Sequence, residues 1–247
     1  MRAIIFASRN TKEIIRDIMS LIFGIAFPIV LLLLLSAINN GIPKEYGPKM
    51  FNIESLAPGI TVFGLSFLSL FSSMLISKDR TASFVLRLFT SPLTPSDFIL
   101  GYTLPLVPMA MIQTAVCYAC AIPLGLPFST NLLVAIVVNL PIAVVFISLG
   151  LLFGSVLNEK AVGGVCGALL TNLSAWFSNI WFDTSMVGGA FKTVADILPF
   201  SHAVNAARYA VAGDFGMIFP DLWWVIGYAV VLLIAAVTVF SIKLKKS

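Results

Sequence analysis

Charge is what this chain most lacks. Only 11% of its 247 residues are Asp, Glu, Lys or Arg, against roughly a quarter in a soluble globular domain, while 59% are hydrophobic and the mean hydropathy is +1.02. That balance excludes a water-soluble fold. Histidine is limited to His202, and the chain has no G-x-x-x-x-G-K-[ST] phosphate loop, no nucleophile elbow and no metal-ligand cluster beyond the single C-x-x-C spacing of Cys117 and Cys120. Catalytic machinery is therefore missing: no catalytic residue and no metal ligand is expected, and any energy source must come from elsewhere. The three cysteines, Cys117, Cys120 and Cys166, lie inside apolar runs, where cysteine behaves as a small hydrophobe. Neither a disulfide framework nor a redox role is expected of them.

What is present is a series of long apolar runs. A bilayer-crossing helix needs about 20 mostly apolar residues, and six such runs fit at Ser20 to Ile38, Leu56 to Ile76, Phe98 to Leu124, Leu132 to Leu157, Ala161 to Trp181 and Leu222 to Ile242. They are continuous rather than alternating, which argues against a β-barrel and predicts an all-α membrane protein, a single transmembrane domain over 1–247. Basic residues gather before the first run (Arg2, Arg9, Lys12, Arg16), after the second (Lys78, Arg80, Arg87), after the fourth (Lys160) and in the tail (Lys243, Lys245, Lys246). The positive-inside rule then predicts a multi-pass protein of the cell membrane with both termini cytoplasmic. The net charge of +4 reads as topology and contact with anionic headgroups, not nucleic-acid binding.

Residues 1–17 are too long and too amphipathic for a cleaved leader. Arg2 to Asp17 is expected to form a helix lying in the membrane interface before the first span, with a capping-box arrangement of Asn10 and Glu13 and Ile14, Ile15, Ile18 and Ile22 on one face. Between the fifth and sixth runs, 182–220 carries two apolar pieces of about half the crossing length. Pro199-Phe200-Ser201 separates them, with Ser201 as a candidate N-cap and Gly213 as a helix stop; this predicts a re-entrant helical hairpin on the outer face. The six runs contain no ionisable residue, unlike the proton and ion relays of secondary transporters. Their polar groups, among them Gln113, Asn139, Asn172 and the serines of the second run, either bond helix to helix or line a substrate path; Ser66, Ser69, Ser73, Asn172 and Trp176 are the path candidates. Gly150-x-x-x-Gly154 and Gly163-x-x-x-Gly167 mark expected close helix contacts, and Pro28, Pro105, Pro108 and Pro141 expected kinks.

The charged, proline-punctuated segment 78–97 interrupts this pattern. Taken with Ile14-Ile15-Arg16-Asp17 leading into Phe27-Pro28-Ile29, with Ser91-Pro92-Leu93-Thr94 and Ile99-Leu100-Gly101, and with Leu198-Pro199-Phe200 followed by Asn205-Ala206-Ala207-Arg208, it resembles the membrane subunit of ABC type-2 exporters, a class that includes drug and antibiotic-resistance exporters. In place of that family's frequent Glu-Arg-Glu-x-Gly run the chain has Lys78-Asp79-Arg80-Thr81-Ala82. The resemblance implies a permease that pairs with a second copy or a paralogue and is driven by a separate ABC ATPase dimer, which holds the ATP and Mg. It implies ATPase coupling through Lys78, Asp79, Arg80, Phe84, Arg87, Leu88 and Phe89, with Arg9, Lys12 and Arg16 on the interface helix. An uncharged path suits an apolar or amphiphilic cargo, a drug, antibiotic or lipid-like molecule. The alternatives are an ion-coupled secondary transporter and a membrane scaffold without an ATPase partner.

Overall fold

The computed structural model describes residues 2–42, 51–81 and 94–245. Every regular element among them is helical. We number them α1 (Arg2–Arg16), α2 (Ile18–Gly41), α3 (Ile53–Thr81), α4 (Pro95–Thr103), α5 (Leu106–Ala121), α6 (Asn131–Val156), α7 (159–176), α8 (Thr184–Val187), α9 (Gly189–Ile197), α10 (Pro199–Ala212) and α11 (Phe215–Lys245). Five stretches of the described residues are long and apolar enough to cross a membrane: Ile18–Gly41, Ile53–Arg80, Ser96–Leu124, Asn131–Val156 and Phe215–Lys243. The third comprises α4 and α5, which part at Leu104 and Pro105 because proline supplies no backbone donor.

The expected fifth span is the one that differs. Helix α7 is π-helical over Gly163–Leu170 and ends at Trp176, five residues short of the Trp181 that hydropathy suggests. Gly163, Gly164 and Gly167 sit inside the widened stretch; without side chains they neither stiffen the helix nor fill the space its wider turn opens. Consequently the Gly163/Gly167 pair makes no close crossing: a Cβ on Gly163 would touch nothing, and one on Gly167 would only graze Leu70.

Helix α3 is the hub, buried on nearly all sides. Its closest partner is α6, and here the glycine expectation is met. A Cβ on Gly150 would lie 2.1 Å from the Ser69 carbonyl oxygen, and one on Gly154 would lie 2.6 Å from that of Ser73. Ser72 fills the seam and donates to the Ile147 carbonyl at 3.1 Å, the kind of close contact that joins helices where burial alone offers little driving force. Gln113 of α5 donates to the Thr61 carbonyl at 3.0 Å, and Asn139 of α6 faces the Tyr118 hydroxyl at 3.4 Å.

At the opposite end from α1, α10 inserts among α3, α6 and α11. Ala203, Ala206, Ala207 and Ala210 are buried, and their small side chains let the helix pack closely; Phe200 stacks on Phe146 with ring centres 5.9 Å apart. The cap differs from expectation. Leu198 is the N-cap and Pro199 the first helical residue, a position where the missing N–H costs nothing, while Ser201 is already inside and donates to the Ala195 carbonyl. Gly213 does end the helix, at φ +80°. Replacement Gly150→Ala is expected to push α3 and α6 apart, lowering stability by roughly 1–3 kcal/mol, read as an earlier thermal unfolding midpoint in detergent; Gly163→Ala should leave that midpoint unchanged.

Candidate functional site

At the α1 end, side chains of three helices meet at one buried carboxylate. Asp79, on the last turns of α3, is 3% exposed. Arg9 of α1 grips it with both guanidinium nitrogens, Nη1 to Oδ2 at 2.6 Å and Nη2 to Oδ1 at 2.8 Å, the bidentate geometry that makes an Arg–carboxylate pair strong. The Tyr102 hydroxyl of α4 donates to the same Oδ2 at 2.8 Å. Glu13, one turn along α1, steadies Arg9 from 3.0 Å. Burial alone would lower the Arg9 pKa, but its hydrogen bond to Asp79 and the charge of that carboxylate outweigh the burial and raise it.

An aromatic and amide layer completes the joint. Phe6 meets Tyr102 edge-on at 5.0 Å and Phe98 at 5.6 Å, and it can do so because a Cβ on Gly101 would lie 2.3 Å from its ring. Asn10 is buried in the middle of α1 and donates to the Gly101 carbonyl at 3.0 Å. The helix runs Arg2–Arg16, within one residue of the expected bounds, but the expected Asn10/Glu13 capping box is corrected: Asn10 lies inside the helix and serves a helix contact. A true capping box stands at Thr94 and Asp97, where α4 begins. The face of α1 turned to the bundle carries Phe6, Ala7, Asn10 and Ile14, whereas Ile4, Ile5, Ile15 and Ile18 are exposed, so Ile14 and Ile15 do not share a face.

Arg80 closes the end of a different helix. Its Nη1 donates to the carbonyls of Gly154 at 2.8 Å and Leu157 at 3.2 Å, capping the carbonyl end of α6, where a cation is favoured by the helix dipole. Lys78 is half-buried, and Lys12 and Arg16 are exposed; all three line one groove. Phe84, Arg87, Leu88 and Phe89 lie outside the described residues. The structure therefore places Asp79 and Arg80 in internal contacts, on the stalk of the expected coupling segment.

Of the five path candidates, Ser66, Ser69 and Ser73 are buried, each donating to the carbonyl three residues back in α3. Their place is the helix-packing seam. Asn172 and Trp176 reach the surface, one turn apart on the same face of α7.

A second polar knot sits at the α10 end. His202 Nδ1 is 2.5 Å from Asp221 of α11, and its Nε2 is 2.8 Å from the Asp196 carbonyl of α9. A carbonyl only accepts, so Nε2 is the nitrogen that carries a proton toward Asp196, and Nδ1 faces the Asp221 carboxylate. Trp224 and Tyr228 both donate to the Ile197 carbonyl at 2.9 Å. Arg208 of α10 reaches the Ser55 and Asn179 carbonyls at 3.2 and 2.9 Å; burial lowers its pKa, opposed by the charge of Asp183. Sequence reasoning isolated His202 but missed Asp221, Tyr102 and the Arg9–Asp79 pair, whose partners lie 19 to 70 residues apart.

The described residues form an all-helical bundle whose amphipathic first helix is locked to the end of α3. The family model for ABC-2 type transporters matches residues 2–212, and the chain belongs to that family, as the membrane component of an ABC transporter. It is also 26% identical over 187 residues, 73% of its length, to ABC transporter G family member 20 of Dictyostelium discoideum. That alignment covers 25% of the relative, so the chain spans about a quarter of the length of the curated relative it matches.

The His202 knot has a definite pH signature. Its hydrogen bond to Asp221 raises the His202 pKa; burial opposes this, and the Asp196 carbonyl adds to it. Lys192, Asp196 and Asp221 are the charged groups that act on this cluster. A raised folded pKa means that the stabilisation is complete below the unfolded value of about 6.5 and lost as pH climbs through the higher folded value. Thermal stability is expected to fall as pH rises above about 6.5, and His202→Gln should flatten that slope; an unchanged slope would remove the knot as its source.

Proposed function

We propose that the chain is the permease subunit of an ATP-driven exporter, moving an apolar or amphiphilic molecule, drug, antibiotic or lipid-like, outward across the cell membrane. The observation that carries this reading is the Asp79 joint. Asp79 lies just before segment 82–93 and Tyr102 just after it, and both are tied, with Arg9, at one carboxylate. A force applied to the segment from either flank reaches α1, α3 and α4 together.

In this reading the segment sits in a groove of a separate ABC ATPase subunit, one of a pair that binds ATP and Mg, with both termini of the permease cytoplasmic. Phe84, Leu88 and Phe89 are its apolar anchors, and Arg87 its charged register. Asp79 and Arg80 are positioning residues that fix the stalk on α4 and α6. Helix α7, widened by its π stretch, is the fifth of six spans. The α9–α10 pair, of which α10 is buried and α9 largely exposed, is a re-entrant hairpin on the outer face, and α10 is tolerable at membrane depth because it packs against protein. A second copy or paralogue completes the path along the α7 face of Asn172 and Trp176, where the exposed amide otherwise faces lipid.

Reversing one charge tests the docking segment. Arg87→Glu is expected to leave insertion and the unfolding midpoint intact while abolishing substrate-stimulated ATP hydrolysis in the purified complex. Normal turnover in that variant would place coupling elsewhere.

A further inference from the structure

The groove between α1 and the end of α3 has a volume of about 850 Å³, within the range of small-ligand sites. Its charges are unevenly committed. Glu13 is held by Arg9, and Asp17 caps α2, accepting from the Ser20 hydroxyl at 2.6 Å and the Met19 amide at 3.3 Å. Lys12, Arg16 and Lys78 line the same groove and have no ion pair among the described residues. The residual field in the groove is therefore positive.

Depth and apolar surface narrow the occupant. Arg16 lies two residues before the span Ile18–Gly41 starts, and Lys78 two residues before the span Ile53–Arg80 ends, so these cations stand at the headgroup level of a bilayer. Ile4 and Ile5 line the groove itself at 64% and 73% exposure, and Ile15, Ile18 and Met19 continue the exposed apolar surface toward α2. Cations above and branched alkyl groups alongside match a phosphate headgroup with its acyl chains, where each basic residue adds to anionic-lipid attraction.

We propose that this groove is a binding site for an anionic phospholipid, with Lys12, Arg16 and Lys78 holding the phosphate and the exposed isoleucines of α1 lying along the acyl chains. The lipid wedges the interface helix at a set depth, so the Asp79 joint is held level with the membrane surface. This inference rests on the proposed orientation only for which leaflet supplies the lipid; the ATPase is not needed for the lipid to bind.

The test is native mass spectrometry of the full chain released from nanodiscs holding equal amounts of phosphatidylglycerol and phosphatidylcholine. Wild type should retain phosphatidylglycerol selectively. The triple variant Lys12→Gln, Arg16→Gln, Lys78→Gln should lose that selectivity by on the order of tenfold or more, while Lys160→Gln with Lys192→Gln keeps it. Because Lys12 and Arg16 are exposed, their single variants give the same reading in smaller steps if the triple variant unfolds. Equal retention of both lipids by wild type, or undiminished selectivity in the triple variant, would overturn the site. So would phosphatidylglycerol uptake that vanishes whenever a partner ATPase is present, since the groove would then be a protein contact.

Discussion

A carboxylate removed from water must be matched or it destabilises the fold. Asp79 is such a group, and much of the α1 end is arranged around satisfying it: a two-pronged guanidinium from α1, a phenol from α4 and the aromatic layer of Phe6, Tyr102 and Phe98 that keeps water away. Asp79 is buried while the Arg9 side chain is 38% exposed, so losing Arg9 leaves the carboxylate uncompensated, at a cost that water around the guanidinium site reduces. That dependence makes the joint a fixed point. Helices α1, α3 and α4 separate at this end only by exposing an ion, whereas apolar helix faces slide past one another at little cost in lipid.

The remaining contacts extend this block. Arg80, the next residue, caps α6, and the Gly150/Gly154 seam brings the α6 and α3 backbones into direct contact along their length. At the other end, the alanine face of α10 closes on the same two helices, and the His202 knot fastens α9, α10 and α11. Helix α7 has a π-helical middle, as α2 has over Ile22–Ala26, and at Gly163 and Gly164 it faces open space among the described residues.

The class of fold was legible from hydropathy and from the scarcity of charge, since a bilayer demands both over whole segments. Glycine spacing located the α3–α6 seam, but the second pair, Gly163 and Gly167, makes no tight crossing among the described residues, because x-x-x spacing aligns glycines on one face only while the helix keeps α periodicity. Local capping rules failed at Asn10 and Ser201 for a shared reason. Each side chain found a longer-range or interior partner, the Gly101 carbonyl for one and the Ala195 carbonyl for the other. The charged residues flanking segment 82–93 were recognised individually as the chain's distinctive feature. That Arg9 belongs to Asp79 could not be read from the sequence, because a pairing across 70 residues leaves no periodic trace.

The central claim is that α1 and α4 move as one piece about Asp79 while ATP is bound and hydrolysed. Spin labels placed on exposed positions Ser8 of α1 and Ser96 of α4 would report their separation by pulsed electron resonance in the assembled transporter, with and without trapped nucleotide. The account predicts one narrow distance distribution that is the same in both states, broadening only when Arg9 is replaced. A separation that shifts with nucleotide while Arg9 and Asp79 are intact would contradict it, and would move the mechanical unit from the joint to some other contact between the helices.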